Sequence, residues 1–426
     1  MPQVSPSSGR SVKVRSLEIT AVFAGIGGLE LGLHKAGHRT SLFCECDPEA
    51  TAVLASRFPG VRIAFDVRRT DELVENISGR SDLLTAGFPC SDLSQAGLTR
   101  GFAGGRSSLI RETMDLLRKR PFPRVLLENV PNWRHLHRGA YLAEVIAALE
   151  GMGYRWAYRT IDARSFGLPQ RRKRIFLYAT LEGDPRDVLF HGNEPDPGEE
   201  AIALDRAAHG FYWTEGSRGL GWGEDCIPTL KGGSAIGIPA PPAILLSDLS
   251  VITPDIRDGE RLQGFTADWT NLQLLPPRFQ SAKFNQRKRW LVVGNAVNVA
   301  VSFWIGERLA HPQKYDGEAG EPLLQADGWP EAAHYDGRTR RRFRLSAWPV
   351  RGERQSLAKF LQFPGRLLSL RATSGFFSRA RESRLRFAPG FLAAILRHLR
   401  RMEAEPRLAS RMVRDEVIPS RARWSS

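Results

Sequence analysis

The sequence predicts an α/β protein built on a doubly wound sheet, and three observations carry that expectation. Short β-like runs alternate with helical stretches from residue 17 to 180. Such alternation gives a mostly parallel sheet covered on both faces, because parallel neighbours need a crossover connection between them. The first run leads into a glycine-rich turn, "VFAGIGGLELGLHKAG", and carboxylates close the second and third runs. Ligands of doubly wound sheets bind at the carboxyl ends of the strands, so polar residues gathered there mark a site.

The strand candidates are "EITAVFA" (18–24), "RTSLFCE" (39–45), "VRIAF" (61–65), "SDLLTAG" (81–87), "PRVLLENV" (123–130) and "RIFLYAT" (174–180). Helical patterns lie between them: "LELGLHKAG", "PEATAVLASRF", "SLIRETMDLLRKR" and "YLAEVIAALEGMG", the last closed by Gly151 and Gly153 in the manner of a C-cap. Residues 181–250 turn rich in Gly, Pro and Trp and lose periodicity, which suits a recognition module or a structural connector. Order returns over 251–310, ending in "VVGNAVNVAVSFWIGERLA". Residues 311–334 read as a linker, and residues 1–16 as a polar, disordered arm.

Composition narrows the class. Of 426 residues, 42% are hydrophobic, which is ordinary for a globular protein. No run of about 18 apolar residues suggests a membrane span. The polar N-terminus does not read as a secretory signal. The four cysteines, Cys44, Cys46, Cys90 and Cys226, form no C-x-x-C zinc pair, and a disulfide framework belongs to much shorter secreted chains. The expectation is a reduced, cytoplasmic protein, monomeric, with no metal site. The net charge of +15 is concentrated: residues 335–426 hold 22 Lys/Arg and 7 Asp/Glu, while the rest is balanced. A block this basic reads either as a solvated tail or as the footprint of a polyanion, usually nucleic acid. Its densest cluster is "RTRRRFR" (338–344), and "PGFLAAILRHLRRM" (389–402) reads as an amphipathic helix with Phe391, Ile395, Leu399 and Met402 in one stripe.

The candidate chemistry sits at the strand ends. Gly25, Gly27 and Gly28 precede a helix and let a ligand approach the backbone there. Glu30 stands where a dinucleotide fingerprint has its third glycine, which weakens a nicotinamide reading. Glu45 can accept both hydroxyls of a ribose and Asp66 can meet an adenine amino group, so the set suggests an adenosyl cofactor. In "LLTAGFPCSDLSQAG", Cys90 follows Pro89 at the end of a buried strand. A nucleophilic cysteine needs such a rigid, polar mount; a structural one does not. "LLENVPNW" places Glu128 and Asn129 at another strand end; alone this is a capping pair. "FGLPQRRKRIFLYA" sets Arg172 and Arg174 two apart on an extended backbone, so they can share a face.

Together these blocks resemble the DNA (cytosine-5) methyltransferases over roughly residues 18–310. FAGIGG, the acidic strand end, GFPC with Ser94, ENV, QRRKR, a variable region and GNAV occur in that family's order. The resemblance implies a Rossmann-like methyltransferase sheet with a smaller target-recognition domain, double-stranded DNA as partner and S-adenosylmethionine as cofactor. It implies that Cys90 adds to C6 of a flipped-out cytosine, Glu128 holds N3, Arg172 bonds the base O2, and Arg174 supports the pocket. The cofactor roles it implies fall on Phe23, Ile26, Gly28, Glu45, Asp66, Val67, Pro89, Leu109, Asn295 and Ala296. Residues Ser91–Arg106, with Gly97, Gly101, Gly104 and Gly105, are expected to close over the base. Two departures stand out: Cys46 occupies a position that is often aromatic, and Leu291 one that is often polar.

The expected plan is a catalytic domain from 17–180 completed by 251–310. A recognition region at 181–250 sets the target, with Lys231 and Arg218 as candidate contacts, DNA lies in the cleft between the two, and a basic extension follows at 335–426. An RNA cytosine-5 methyltransferase on the same scaffold is the nearest rival, but that branch's Cys-Phe-Thr motif is missing. A catalytically silent DNA-binding protein is the other rival, and intact Cys90, Glu128 and Arg172 argue against it. A role in a restriction or phage-defence system, with its partner proteins, stays open.

Overall fold

The computed structural model describes residues 16–88, 108–198, 201–217, 219–232, 241–274, 286–324 and 328–415. Along the chain the strands are β1 (Glu18–Val22), β2 (Arg39–Cys44), β3 (Arg62–Ala64), β4 (Leu83–Gly87), β5 (Arg124–Asn129), β6 (Arg155–Asp162), β7 (Lys173–Thr180), β8 (His209–Phe211), β9 (Gly223–Glu224), β10 (Ala243–Leu245), β11 (Val251–Thr253), β12 (Glu321–Pro322), β13 (Ala332–Tyr335), β14 (Arg340–Phe343) and β15 (Arg366–Leu367). They form two sheets, one in each of two units. The first unit holds residues 1–161, 174–194 and 297–349; the second holds 162–173, 195–296 and 350–426.

The first unit carries the large sheet, in the order β12-β14-β13-β6-β7-β5-β4-β1-β2-β3. Its central strands β5, β4, β1, β2 and β3 run parallel. From β1 the chain winds one way to β2 and β3, and from β4 the other way to β5, so the strand order reverses between β1 and β4. In open sheets of this kind the ligand crevice lies at the carboxyl ends beside that reversal. β7 runs antiparallel to β5. The parallel strands are buried on both sides, as in Val125, Leu126 and Leu127 of β5. Their unbroken apolar runs follow from cover on both faces.

Two helices flank the glycine turn. Helix Val299–Ala310 lies so close to helix Gly28–Lys35 that a Cβ on Gly32 would collide with Ser302 Oγ. Ser302 Oγ in turn donates to the Gly28 carbonyl at 3.0 Å. Helix Ala140–Gly151 ends as expected, with Gly153 at φ 85° and its N–H donating to the Glu150 carbonyl at 2.9 Å.

The six expected strands are all present, and further strands join the same sheet. β6 was hidden in the sequence by its arginines. One of them, Arg159, is wholly buried and donates to the carbonyls of Leu189, His191, Gly192 and Ser346. The expected linker 311–334 and the start of the expected extension differ more. β13 pairs antiparallel with β6, and β14 with β13, so residues 332–343 extend the sheet and cover an edge that would otherwise offer unpaired backbone. The dense basic cluster is accordingly tied into the fold. Arg340 bonds both oxygens of Glu150, at 2.8 and 2.6 Å, and Arg342 and Arg344 pair with Glu321 at 2.7 and 2.9 Å.

The second unit is built on an antiparallel sheet in the order β15-β11-β10-β8-β9. Its core joins Phe211 and Val251 of the sheet to Phe376, Phe391 and Ile395 of two C-terminal helices, Leu370–Glu382 and Phe391–Asp415. Residues 251–296 and 350–404 therefore belong with the 195–250 stretch rather than with a separate catalytic completion and tail. The amphipathic stripe is shifted from expectation. Phe391, Ala394, Ile395 and His398 are buried, whereas Leu399 and Met402 are only half-buried. His398 explains the shift. Its Nδ1 accepts from the Val251 N–H (3.3 Å) and its Nε2 lies 2.9 Å from the Leu368 carbonyl, so the ring fastens the helix to the sheet.

One buried acid makes the first unit sensitive to pH. Glu30 faces β4, where Thr85 Oγ1 donates to it at 2.8 Å. Burial outweighs that bond and pushes its carboxyl up from 4.5 to about 7. Between those values the folded chain holds a proton that the unfolded chain has released, so stability falls as pH rises through the window. Glu30→Gln is expected to flatten that fall. Urea unfolding between pH 5 and 8 measures it, and an unchanged slope would show that Glu30 does not titrate there.

Candidate active site

Parallel strands β1, β2, β3 and β5 bring Phe23, Glu45, Asp66 and Glu128 to one edge of the sheet. β1 ends in Val22 and passes through Phe23 into the glycine turn. Phe23 itself has φ 54°, a left-handed conformation that is uncommon for a residue with a side chain. Gly25 (φ 56°) and Gly27 (φ 80°) complete the turn, and Gly27 caps helix Gly28–Lys35. A Cβ placed on Gly25 would meet nothing within 4 Å, so the main chain there faces open space. Ile26 is fully buried and anchors the turn from inside.

Glu45, just past β2, is held from two sides. The Gly25 N–H donates to its Oε2 at 2.7 Å and the Asp47 N–H to its Oε1 at 2.8 Å. Burial pushes this carboxyl above its usual range while the two N–H groups pull it back. A carboxylate has about four acceptor positions, so these bonds orient Glu45 and leave it able to take a ribose diol. Asp66, past β3, is gripped by Arg68 instead, with Nε 2.9 Å from Oδ1 and the terminal nitrogen 2.8 Å from Oδ2. That hydrogen-bonded arginine holds its carboxyl below the usual range. Val67 is buried beside it, and Leu109 lies half-buried against the same core. Open backbone at the turn, an oriented carboxylate and an acid at the next strand end fit an adenosyl cofactor in donor set and order.

The catalytic half lies at the ends of β4, β5 and β7. Pro89 and Cys90 fall outside the described residues, as does the 91–106 stretch, but the strand that carries them is fixed up to Phe88. Gly87 pairs in register with Glu128. A side chain on Gly87 would begin 3.8 Å from Glu128 Oε2, so the glycine keeps the space beside that carboxylate open. Asn129 Nδ2 reaches the Phe88 carbonyl at 3.5 Å, and its Oδ1 accepts from the Val130 N–H at 2.8 Å. Phe88 is buried edge-on against Trp133 at 5.2 Å. Sequence reasoning missed Gly87, Phe88 and Asn129 as positioning residues, although the fixed order GFPC and ENV held the signal.

The two arginines have different surroundings. Arg174 lies at the start of β7 with Nε 3.0 Å from Glu128 Oε1, and both side chains are largely buried. Arg172 is almost wholly buried and donates to the Leu230 carbonyl at 3.0 Å, the Gly294 carbonyl at 3.3 Å and the Ala296 carbonyl at 2.6 Å. Buried carbonyls require donors, and Arg172 satisfies three of them within the second unit. The resemblance implies Arg172 bonding the base and Arg174 supporting the pocket; in this geometry Arg172 faces main-chain carbonyls and Arg174 faces Glu128.

Gln170 works alongside Arg172, donating to the Leu262 carbonyl at 2.7 Å and accepting from the Leu230 N–H at 3.1 Å. Asn295 and Ala296 also lie in the second unit. Asn295 Oδ1 stands where a side chain on Gly232 would be, so that glycine permits a close approach. Lys231, a candidate DNA contact, is exposed, pairs with Glu215 at 2.7 Å and lies 3.8 Å from the Tyr212 ring centroid. Arg218 is outside the described residues. Among the described residues no cluster of three or more His, Cys, Asp or Glu could hold a metal ion.

Comparison with known proteins shows the family. Residues 17–202 match the family described as C-5 cytosine-specific DNA methylase. The chain is 43% identical over 377 residues to the Type II methyltransferase M2.BsuMI of Bacillus subtilis (strain 168), spanning 85% of this chain and 93% of that one. It is 36% identical over 189 residues to the Type II methyltransferase M.NlaX of Neisseria lactamica, spanning 44% of this chain and 58% of that one. The chain therefore belongs to the C-5 cytosine-specific DNA methylases, enzymes that transfer a methyl group from S-adenosylmethionine to C5 of cytosine in DNA.

Proposed function

We propose that Cys90, Glu128 and Arg174 carry the chemistry on a cytosine flipped out of duplex DNA, and that Arg172 holds loops of the second unit in place. The observation that supports this reading most is the Glu128–Arg174 pair at 3.0 Å, in register with the strand that leads to Cys90. Cytosine C5 is a poor nucleophile until a thiolate adds to C6 and turns the ring into an enamine. Cys90 supplies that thiolate. Glu128 hydrogen-bonds N3 and shares a proton with it, and Arg174 keeps Glu128 oriented and faces the base O2, so charge that develops on the ring meets fixed partners. S-adenosylmethionine supplies an electrophilic methyl group when bound, beside the turn at Phe23, Ile26 and Gly28. Glu45 takes its ribose. Loss of the C5 proton re-forms the ring double bond and expels the Cys90 thiolate. The Type II designation of the relatives supports a modification role within a restriction system.

Replacing Cys90 with Ser is expected to cut methyl transfer by about a thousandfold or more while cofactor and DNA binding persist. DNA with 5-fluorocytosine at the target cannot lose its C5 substituent, so the wild-type adduct should survive denaturing electrophoresis. Near-normal turnover by Cys90→Ser would refute the covalent route.

The two arginines separate in a second test. Arg174→Ala should lower kcat by about 10²–10³ with the fold intact, as removal of one charge-stabilising donor does. Arg172→Met should lower stability by about 1–3 kcal/mol for each carbonyl left without a donor. Denaturant unfolding and steady-state kinetics on both variants check this; the reverse pattern would restore Arg172 to the base.

A further inference from the structure

The basic excess of the C-terminal fifth separates into two kinds of arginine. Arg340 and Arg342 of β14, and Arg344 just after it, are spent in ion pairs with Glu150 and Glu321. Those described in the two C-terminal helices lie at the surface. Residues 369–404 carry eight arginines against Glu382 and Glu403, and all eight arginines are exposed.

Helix Leu370–Glu382 buries Thr373, Phe376 and Ala380 against the second sheet. Its opposite side shows Arg371, Ser374, Ser378 and Arg381, at i, i+3, i+7 and i+10, all exposed and therefore on one stripe. Small hydroxyl residues lie between two cations about 15 Å apart along the axis, at 1.5 Å per residue. A DNA major groove is about 12 Å wide, so such a pair can reach phosphates on both of its walls. Helix Phe391–Asp415 buries Phe391, Ala394, Ile395 and His398 and turns Arg397 and Arg400 outward. Both helices are held in place, one on the sheet by His398 and the other on the loop after β8 by Arg379, which donates to the Trp213 and Glu215 carbonyls at 2.9 and 3.1 Å. The charge is thus held on a rigid support. Among the described residues, Arg371, Arg397 and Arg400 make no ion pair with a carboxylate.

We propose that the outer face of these two helices is a docking surface for the phosphate backbone of the substrate DNA. The proposal rests on the chain being a DNA methylase and adds a binding region outside the catalytic blocks. Phosphate contacts fix position and register without reading sequence, so the surface raises affinity and leaves target choice to other residues.

The test uses the full chain with Arg371→Gln, Arg381→Gln, Arg397→Gln and Arg400→Gln combined, and a second variant with Lys at the same four positions. Duplex DNA binding is measured across a salt series, with thermal melting and cofactor binding as controls for the fold. The Gln variant should bind at least about tenfold more weakly at 0.15 M salt, with its salt slope reduced by roughly 0.9 for each phosphate that is no longer neutralised. The Lys variant should recover most of both, because a phosphate needs the charge more than the guanidinium geometry. Bisulfite sequencing should show the same methylated sequence for all three proteins. Unchanged affinity and slope in a folded Gln variant would overturn the proposal and assign the face to another partner, such as an acidic protein. A wild-type chain that methylates no cytosine in DNA would instead remove the reading beneath it.

Discussion

A buried carboxylate needs a counter-charge, and the arrangement of the first unit follows from how Glu128 gets one. Glu128 ends β5, a parallel strand, so its side chain emerges at the ligand-binding edge. A parallel neighbour on its other side would also end there and send its first residues to the far edge. β7 runs antiparallel, and so it begins where β5 ends. Arg174, second in β7, therefore arrives beside Glu128 without any loop to place it. Removing one member of such a pair leaves the other charged in a poorly solvated place, which costs about 3–5 kcal/mol. The antiparallel strand thus supplies the partner of Glu128 as well as a place in the sheet.

Much of this was legible in the sequence because catalytic residues sit where strands stop, and strand ends are marked by abrupt changes from apolar to polar. Gly25 to Gly28, Glu45, Asp66 and Glu128 all stand at such a change. Periodicity also located all six expected strands. It failed where a strand is not apolar. β14 is "RRRF", and its arginines look like solvent charge until Glu150 and Glu321 are brought alongside by the fold. The partition of Arg172 and Arg174 was equally hidden. Alternation along a strand says which residues share a face, but here the extended stretch straddles two units, and only tertiary contacts assign each guanidinium its acceptors.

The second unit shows the same limit from another side. Its strands are two or three residues long, too short for any hydrophobic period to register. What makes them a sheet is the aromatic core beneath: Phe211 lies 5.1 Å from Phe376 and 5.2 Å from Phe391. Those two phenylalanines come from more than 160 residues further along the chain. The hydrophobic floor of this sheet is supplied by the C-terminal helices. The same helices carry the exposed arginines, which joins the structural role of the basic extension to its charge.

The account turns on Glu128 and Arg174 acting as one unit, and a double-mutant cycle on kcat/KM tests this most directly. Glu128→Gln, Arg174→Gln and the double variant would be assayed on the same duplex substrate under identical conditions. If the pair works together, the double variant is little worse than the poorer single one, a coupling of at least about 2 kcal/mol. Losses that simply multiply, with coupling below about 0.5 kcal/mol, would mean that the two side chains contribute independently and that their contact is incidental to catalysis.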